Sequence, residues 1–162
     1  MEKITRTVTI VRGLPYSGKS THAKSIQSNP RYYFSADDFH RTPEGVYDFQ
    51  IKRAAEAHLW CFQRFVEVVE RPFGRESDNV VVDNTNIKLW EVTPYVMFAK
   101  VNGWNVRVVT INCPWDELMR RRDNRPEQVV PVEVMERMRD AFELSLPSWE
   151  TFELYSQPRS SV

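Results

Sequence analysis

Cysteine is scarce in this chain. Cys61 and Cys113 are the only two among 162 residues, and they stand too far apart for a metal-ligand spacing. That excludes a disulfide framework and a cysteine metal centre, and the expectation is two reduced thiols in an intracellular, cytoplasmic protein. The three histidines, His22, His40 and His58, add no metal pattern. Net charge is missing as well: 22 Lys and Arg balance 22 Asp and Glu. A polyanion binder often carries a positive excess, so any hold on nucleic acid has to come from a local patch. No run approaches the roughly 18 apolar residues of a membrane span, so no membrane partner is expected. The start, Met-Glu-Lys-Ile-Thr-Arg, leads straight toward a strand-like run, and no signal peptide is expected. There is no internal repeat, no low-complexity tract, and no Asn-Lys-x-Asp run of the guanine-reading kind.

What is present is ordinary for one globular domain, with 41% hydrophobic and 27% charged residues. Strand-like and helix-like segments alternate. Strands are expected at Val8–Val11, around Tyr32–Ser35, at Val80–Asp83 and at Val106–Ile111. Helices are expected over residues 20–28, Gln50–Glu70, Leu89–Val101 with Gly103 as its stop, Trp115–Asp123 and Val132–Leu144. Residues 42–49 and Arg71–Asp78 read as loops, and Pro126 and Pro131 bracket another. The alternation implies an α/β fold, a parallel sheet flanked by helices, over residues 1–155, with a frayed tail over 156–162.

The strongest chemical signal is Gly13-Leu-Pro-Tyr-Ser-Gly-Lys-Ser-Thr21, which matches G-x-x-x-x-G-K-[ST] between a strand and a helix. Loop N–H groups and the helix N-terminus make a phosphate cradle. Gly13, Pro15, Ser17, Gly18, Lys19, Ser20 and Thr21 are thus candidates for binding a nucleoside triphosphate. Lys19 would reach the β- and γ-phosphates and Ser20 would place its hydroxyl on Mg²⁺.

Ligands in such folds sit beyond the C-terminal ends of the strands. That rule also selects Asp37-Asp38 and Asp83-Asn84-Thr85-Asn86. The aspartate pair either caps the next helix or supplies the base that takes a proton from an attacking hydroxyl. Asp83 either turns the chain or holds Mg²⁺ or its waters. Arg120, Arg121, Arg122 and Arg125 either complement a helix dipole or belong to a mobile lid that folds over the triphosphate. His40, beside the pair, could touch substrate, as could Asn84 and Asn86; His22 and His58 read as structural.

Taken in order, the phosphate loop, Asn29-Pro-Arg-Tyr-Tyr33 ahead of Asp37-Asp38-Phe39, Asp83-Asn-Thr-Asn86 and Cys113-Pro-Trp-Asp-Glu-Leu118 resemble the kinase domain of phage-type polynucleotide kinase. They are also similar to small ATP-dependent kinases and to the kinase-like domain of eukaryotic ubiquitin-ligase-binding proteins. The resemblance covers roughly residues 6–146. It implies a single-domain P-loop kinase fold with an arginine-bearing lid, ATP and Mg²⁺ as cofactors, and a polynucleotide 5′-hydroxyl as acceptor. A nucleoside, a hydroxylated base in DNA or another small alcohol is the alternative acceptor, and a non-enzymatic ATP-binding module is the alternative class. The resemblance further implies Asp37 as general base, Lys19 and Ser20 as phosphate and Mg²⁺ ligands, and Arg121 and Arg125 as lid arginines. The sequence departs from the family in three ways. Tyr16 replaces a loop glycine. Ala36 and His40 replace arginines near the pair, where Arg41 could compensate and Asp38 adds a second carboxylate. No phosphatase domain is expected after the kinase. The oligomeric state is left open.

Overall fold

The computed structural model describes residues 6–71, 79–144 and 149–156. Most of the Arg71–Asp78 loop and the tail beyond Ser156 lie outside the described residues. Five strands, β1 (Thr7–Arg12), β2 (Tyr33–Phe34), β3 (Asn79–Asp83), β4 (Asn105–Asn112) and β5 (Glu150–Tyr155), form one sheet in the order β2-β3-β1-β4-β5. Every pairing is parallel. The helices are α1 (Lys19–Ile26), α2 (Ala54–Val69), α3 (Leu89–Val101), α4 (Trp115–Asp123) and α5 (Val132–Ala141).

The central strands are apolar on both faces because both faces are covered. Alternate residues go to opposite sides. Val8, Ile10, Val80, Val82, Val106 and Val108 pack with Phe65, Cys61, Val96 and Ala99 of α2 and α3. Val11, Val81, Val109 and Ile111 pack on the other side with Ala23 of α1. Fully burying one such side chain is worth roughly 1.5–3 kcal/mol, so the two layers fix the strand register on which the loops hang.

The expected strands and helices form, with three differences of physical interest. The segment expected to be helical from Gln50 starts as a 3₁₀ turn at Ile51–Arg53 before α2 begins. The last helix stops at Ala141 rather than Leu144: Phe142 turns extended and its ring lies 4.2 Å under the Arg12 guanidinium. Glu143 N–H then donates to Ile87 C=O at 3.0 Å. The third difference is β5, an edge strand that sequence pattern did not reveal. It pairs along β4 from Arg107 to Asn112.

Arg12 ends β1 and is fully buried. Its Nε donates to Asn86 C=O at 2.9 Å, Nη2 to Ile87 C=O at 2.9 Å and Nη1 to Glu143 C=O at 2.7 Å. Burial pulls its pKa down to about 10 against the raising pull of Glu143 and Glu91. The guanidinium stays charged at neutral pH, and its donors meet backbone carbonyls, as a buried cation requires. It knits together three segments directly below the phosphate loop.

Candidate active site

The phosphate loop leaves β1 at Arg12 and enters α1 at Gly18, which takes φ +94. That left-handed turn suits glycine. Gly13 is needed for a different reason. A Cβ there would stand 2.6 Å from Ser17 Oγ and 2.9 Å from Ile111 C=O, inside contact distance. Gly13 N–H donates to Thr85 C=O at 3.1 Å, tying the loop to the end of β3. No side chain caps α1. Its first-turn N–H groups, which have no acceptor within a helix, therefore face an approaching anion.

The loop forms one wall of a cleft of about 1580 Å³. Pro15, Tyr16, Ser17, Gly18, Lys19, Ser20 and Thr21 line it, while Gly13 lies beneath. Asp37, Tyr47, Phe49 and Ile51 stand among the residues of the acceptor wall. Arg120, Arg121, Arg125 and Val130 contribute the region between α4 and α5.

Asp37 sits in a 3₁₀ turn, Ala36–His40, whose start is capped by Ser35 Oγ accepting from Asp37 N–H at 3.3 Å. Asn84 fixes this turn to β3: its Oδ1 accepts from Ala36 N–H at 2.8 Å. Asp37 is exposed, and its Oδ1 accepts from the Tyr47 hydroxyl at 3.4 Å. Burial and the nearby Asp37 charge push the Tyr47 phenol well above its ordinary pKa, so it remains a donor to that carboxylate. Tyr47 stacks on Phe49 at 6.3 Å, and Phe49 and Ile51 remain 52% and 75% exposed beside Asp37. This apolar ledge was not foreseen; its only trace in the sequence was the aromatic pair Tyr47 and Phe49 inside a stretch that otherwise reads as loop.

Other candidates have different places. His40 is buried among the rings of Phe39, Tyr47 and Phe49 and does not reach the cleft. Asn86 is also buried; its Nδ2 donates to Val11 C=O at 3.5 Å and its own carbonyl holds Arg12. Arg41 pairs with Asp38 at 3.6 Å and lies over the Tyr47 ring. Burial raises the Asp38 pKa, with Arg41 pulling the other way. These four, expected near substrate, instead build the frame behind Asp37; a short polar side chain after a strand serves packing as readily as recognition.

Asp83 is 2% exposed at the end of β3. One of its oxygens takes a short hydrogen bond from the Tyr33 hydroxyl. The other oxygen, Oδ1, is buried with no hydrogen-bond partner. A buried carboxylate oxygen with unused lone pairs is the kind of hard-oxygen donor that suits Mg²⁺ completed by a hydroxyl, phosphates and water. Burial first, then the Asp83 charge, raises the Tyr33 pKa and keeps it a donor.

The arginines divide into anchored and exposed. Glu117 Oε2 and Oε1 accept from Arg120 Nε and Nη2 at 2.8 and 2.7 Å, and Oε1 accepts from Arg121 Nε at 2.8 Å. This double engagement holds Glu117 down at about pKa 2. Arg121 also donates to Tyr16 C=O at 3.0 Å and to Ser156 Oγ at 2.8 Å. It thus binds the phosphate loop while also lining the cleft. Arg125 is exposed and lines the cleft. Tyr16 takes φ +68 and its hydroxyl accepts from Val130 N–H at 2.9 Å, so it joins the phosphate loop to the segment before α5. Glu117 and Ser156 were not anticipated; the first belongs to the Trp-Asp-Glu-Leu run but reads there as an ordinary helix residue.

Comparison with known proteins agrees with this architecture. A stretch of 98 residues, 60% of this chain, is 35% identical to human NEDD4-binding protein 2; the chain spans only 5% of that protein's length. Among solved structures, a sugar kinase from Janibacter is similar with TM-score 0.62 and 16% identity, covering 95% of this chain and 88% of that one. Kti12 from Chaetomium thermophilum, in complex with ADP-AlF3, is similar with TM-score 0.62 and 19% identity over 91% of this chain and 88% of its own. No helix among the described residues is long and apolar enough to cross a membrane. With a family profile matching residues 8–145, the chain belongs to the AAA domain family AAA_33.

Proposed function

We propose that this chain is a Mg²⁺–ATP-dependent kinase that transfers the γ-phosphate to an alcohol, with the 5′-hydroxyl of a polynucleotide as acceptor. The observation that carries the reading is one cleft with a phosphate loop on one wall and an exposed carboxylate, Asp37, among the residues of the other. Similarity to solved kinases, among them an APS kinase from Mycobacterium tuberculosis in complex with AMPPNP and APS, supports ATP as donor.

The chain's own groups account for each requirement of the reaction. The loop N–H groups and Lys19 bind and orient the β- and γ-phosphates. Ser20 and Asp83 would hold Mg²⁺, which neutralises phosphate charge when bound. Asp37 accepts the acceptor's hydroxyl proton as the new O–P bond forms, and the bond from the γ-phosphorus to the β-phosphate oxygen breaks to release ADP. The Tyr47 hydroxyl holds the Asp37 carboxylate in place. Arg125 is positioned to meet charge growing on the transferred group. Phe49 and Ile51 give the acceptor an apolar surface to lie on, which suits a ring-bearing acceptor.

The test is transfer of radiolabel from γ-labelled ATP to 5′-hydroxyl oligonucleotides run beside nucleosides. Label at the oligonucleotide 5′ end is the expected result. Label on nucleosides alone moves the acceptor and keeps the chemistry. A wild-type chain that binds ATP and labels no alcohol overturns the kinase reading in favour of an ATP-binding module.

A further inference from the structure

With no net charge on the chain, a polyanionic acceptor needs a local basic patch. One exists on the β2 edge of the sheet. A cavity of about 280 Å³ there is lined by three arginines, Arg31, Arg64 and Arg71, beside Tyr32 and Phe34. Among the described residues, the only carboxylate in its lining is Glu67. Six other arginines, Arg41, Arg53, Arg120, Arg121, Arg122 and Arg139, each make an ion pair with a carboxylate. Arg31, Arg64 and Arg71 make none among the described residues. Arg64 instead lies over the Trp60 ring at 4.6 Å and the Phe34 ring at 5.7 Å. Ring contact fixes a guanidinium by its face and leaves the N–H groups on its rim to meet an anion.

The cavity and the cleft share no lining residue, but the chain runs directly from one to the other. Phe34 lines it, and the turn bearing Asp37 begins two residues later. Arg64 is also near enough to Asp38 to pull its carboxyl down against burial. A strand with its terminal hydroxyl at Asp37 can therefore carry its following phosphates past Arg64 along this edge.

We propose that the Arg31–Arg64–Arg71 cavity binds a phosphodiester of the acceptor strand, downstream of the hydroxyl that is phosphorylated. The inference rests on the polynucleotide reading of the cleft and adds to it a backbone site that discriminates acceptors by length. A nucleoside cannot reach it. Glu67 sets a limit on the patch, and its removal strengthens the hold on the anion.

The experiment is fluorescence-anisotropy binding of a labelled 5′-hydroxyl dinucleotide and octanucleotide to the whole chain over a salt series, beside the transfer assay. Wild type is expected to bind the octanucleotide at least about ten-fold more tightly. One neutralised phosphate adds about −0.7 to the log–log salt slope for a single strand. Arg31→Glu with Arg71→Glu, both exposed positions, is expected to remove most of the length advantage and flatten the slope. Arg31→Gln with Arg71→Gln lies between. Arg137→Glu, a single charge reversal at an exposed position of α5, is expected to leave the length advantage intact, and Tm measured for each variant checks folding. A folded charge-reversed variant with unchanged length advantage and slope overturns the proposal. So does a wild type that labels dinucleotide and octanucleotide with equal KM, and the kinase reading survives that result. A wild type that neither binds nor labels any oligonucleotide removes the polynucleotide reading and this inference together.

Discussion

The two walls of the cleft are built by different means. The phosphate-loop wall is backbone: a strand, a turn that needs Gly13 and Gly18, and the uncapped start of α1. The acceptor wall is side chains on short 3₁₀ turns and irregular chain between Ala36 and Arg53. A backbone site tolerates few sequences, because each position is limited by conformation or by contact distance. A side-chain site on irregular segments can be assembled in many ways. The first kind of wall is therefore general to nucleotide binding, and on the proposed kinase reading the second selects the acceptor.

Separating the walls by mutation sharpens this contrast. Asp37→Ala should produce the largest effect, a fall in kcat of about 10²–10⁴ with ATP affinity retained in a titration. Loss of ATP binding in that variant would mean that the walls are not independent. Gly13→Ala should act on the other wall. Its Cβ meets Ser17 Oγ and Ile111 C=O, a crowding worth about 1–3 kcal/mol, read as weaker ATP binding and a lower Tm. Glu117→Gln tests the anchor beneath the loop. A carboxyl lowered from 4.5 to about 2 stabilises the fold fully above pH 4.5, and that contribution is lost as pH falls through 2. The variant should lose stability at neutral pH and lack the wild type's further loss between those limits, seen in urea titrations across the acid range. Tyr16→Phe should be the smallest change. It removes one hydrogen bond to Val130 N–H, worth about 0.5–1.5 kcal/mol, and should speed amide exchange at Val130 while leaving ATP affinity nearly intact.

The same contrast explains what was legible in the sequence. Val8–Val11 and Val80–Asp83 announce buried parallel strands because both faces of each are apolar. The phosphate loop is legible because backbone geometry restricts its residue types. Asp37 and Asp83 could be picked by their position after strands, while the partners that define them could not. Tyr47 and Tyr33 come from distant or irregular chain, and a hydrogen bond across 50 residues leaves no local pattern. His40 and Asn86 share the polarity of site residues, yet tertiary packing turned both inward. β5 escaped notice because an edge strand is covered less: Phe152 and Leu154 stay 38% and 41% exposed, so its pattern lacks the apolar run of its neighbours. Arg121, picked by its place in an arginine run, lines the cleft, while the groups that anchor it, Glu117, Tyr16 and Ser156, left no such signal.

Arg12 carries a consequence for synthesis. The strand it ends leaves a ribosome well before its three acceptors, which lie 74, 75 and 131 residues downstream. Until Glu143 has emerged, the guanidinium lacks one acceptor and the Phe142 ring that covers it. The phosphate loop directly after it thus gains its full support only once the acceptor 131 residues downstream has been made. A nascent chain stopped before that point carries the complete nucleotide motif without the clamp that braces it, and should engage ATP poorly.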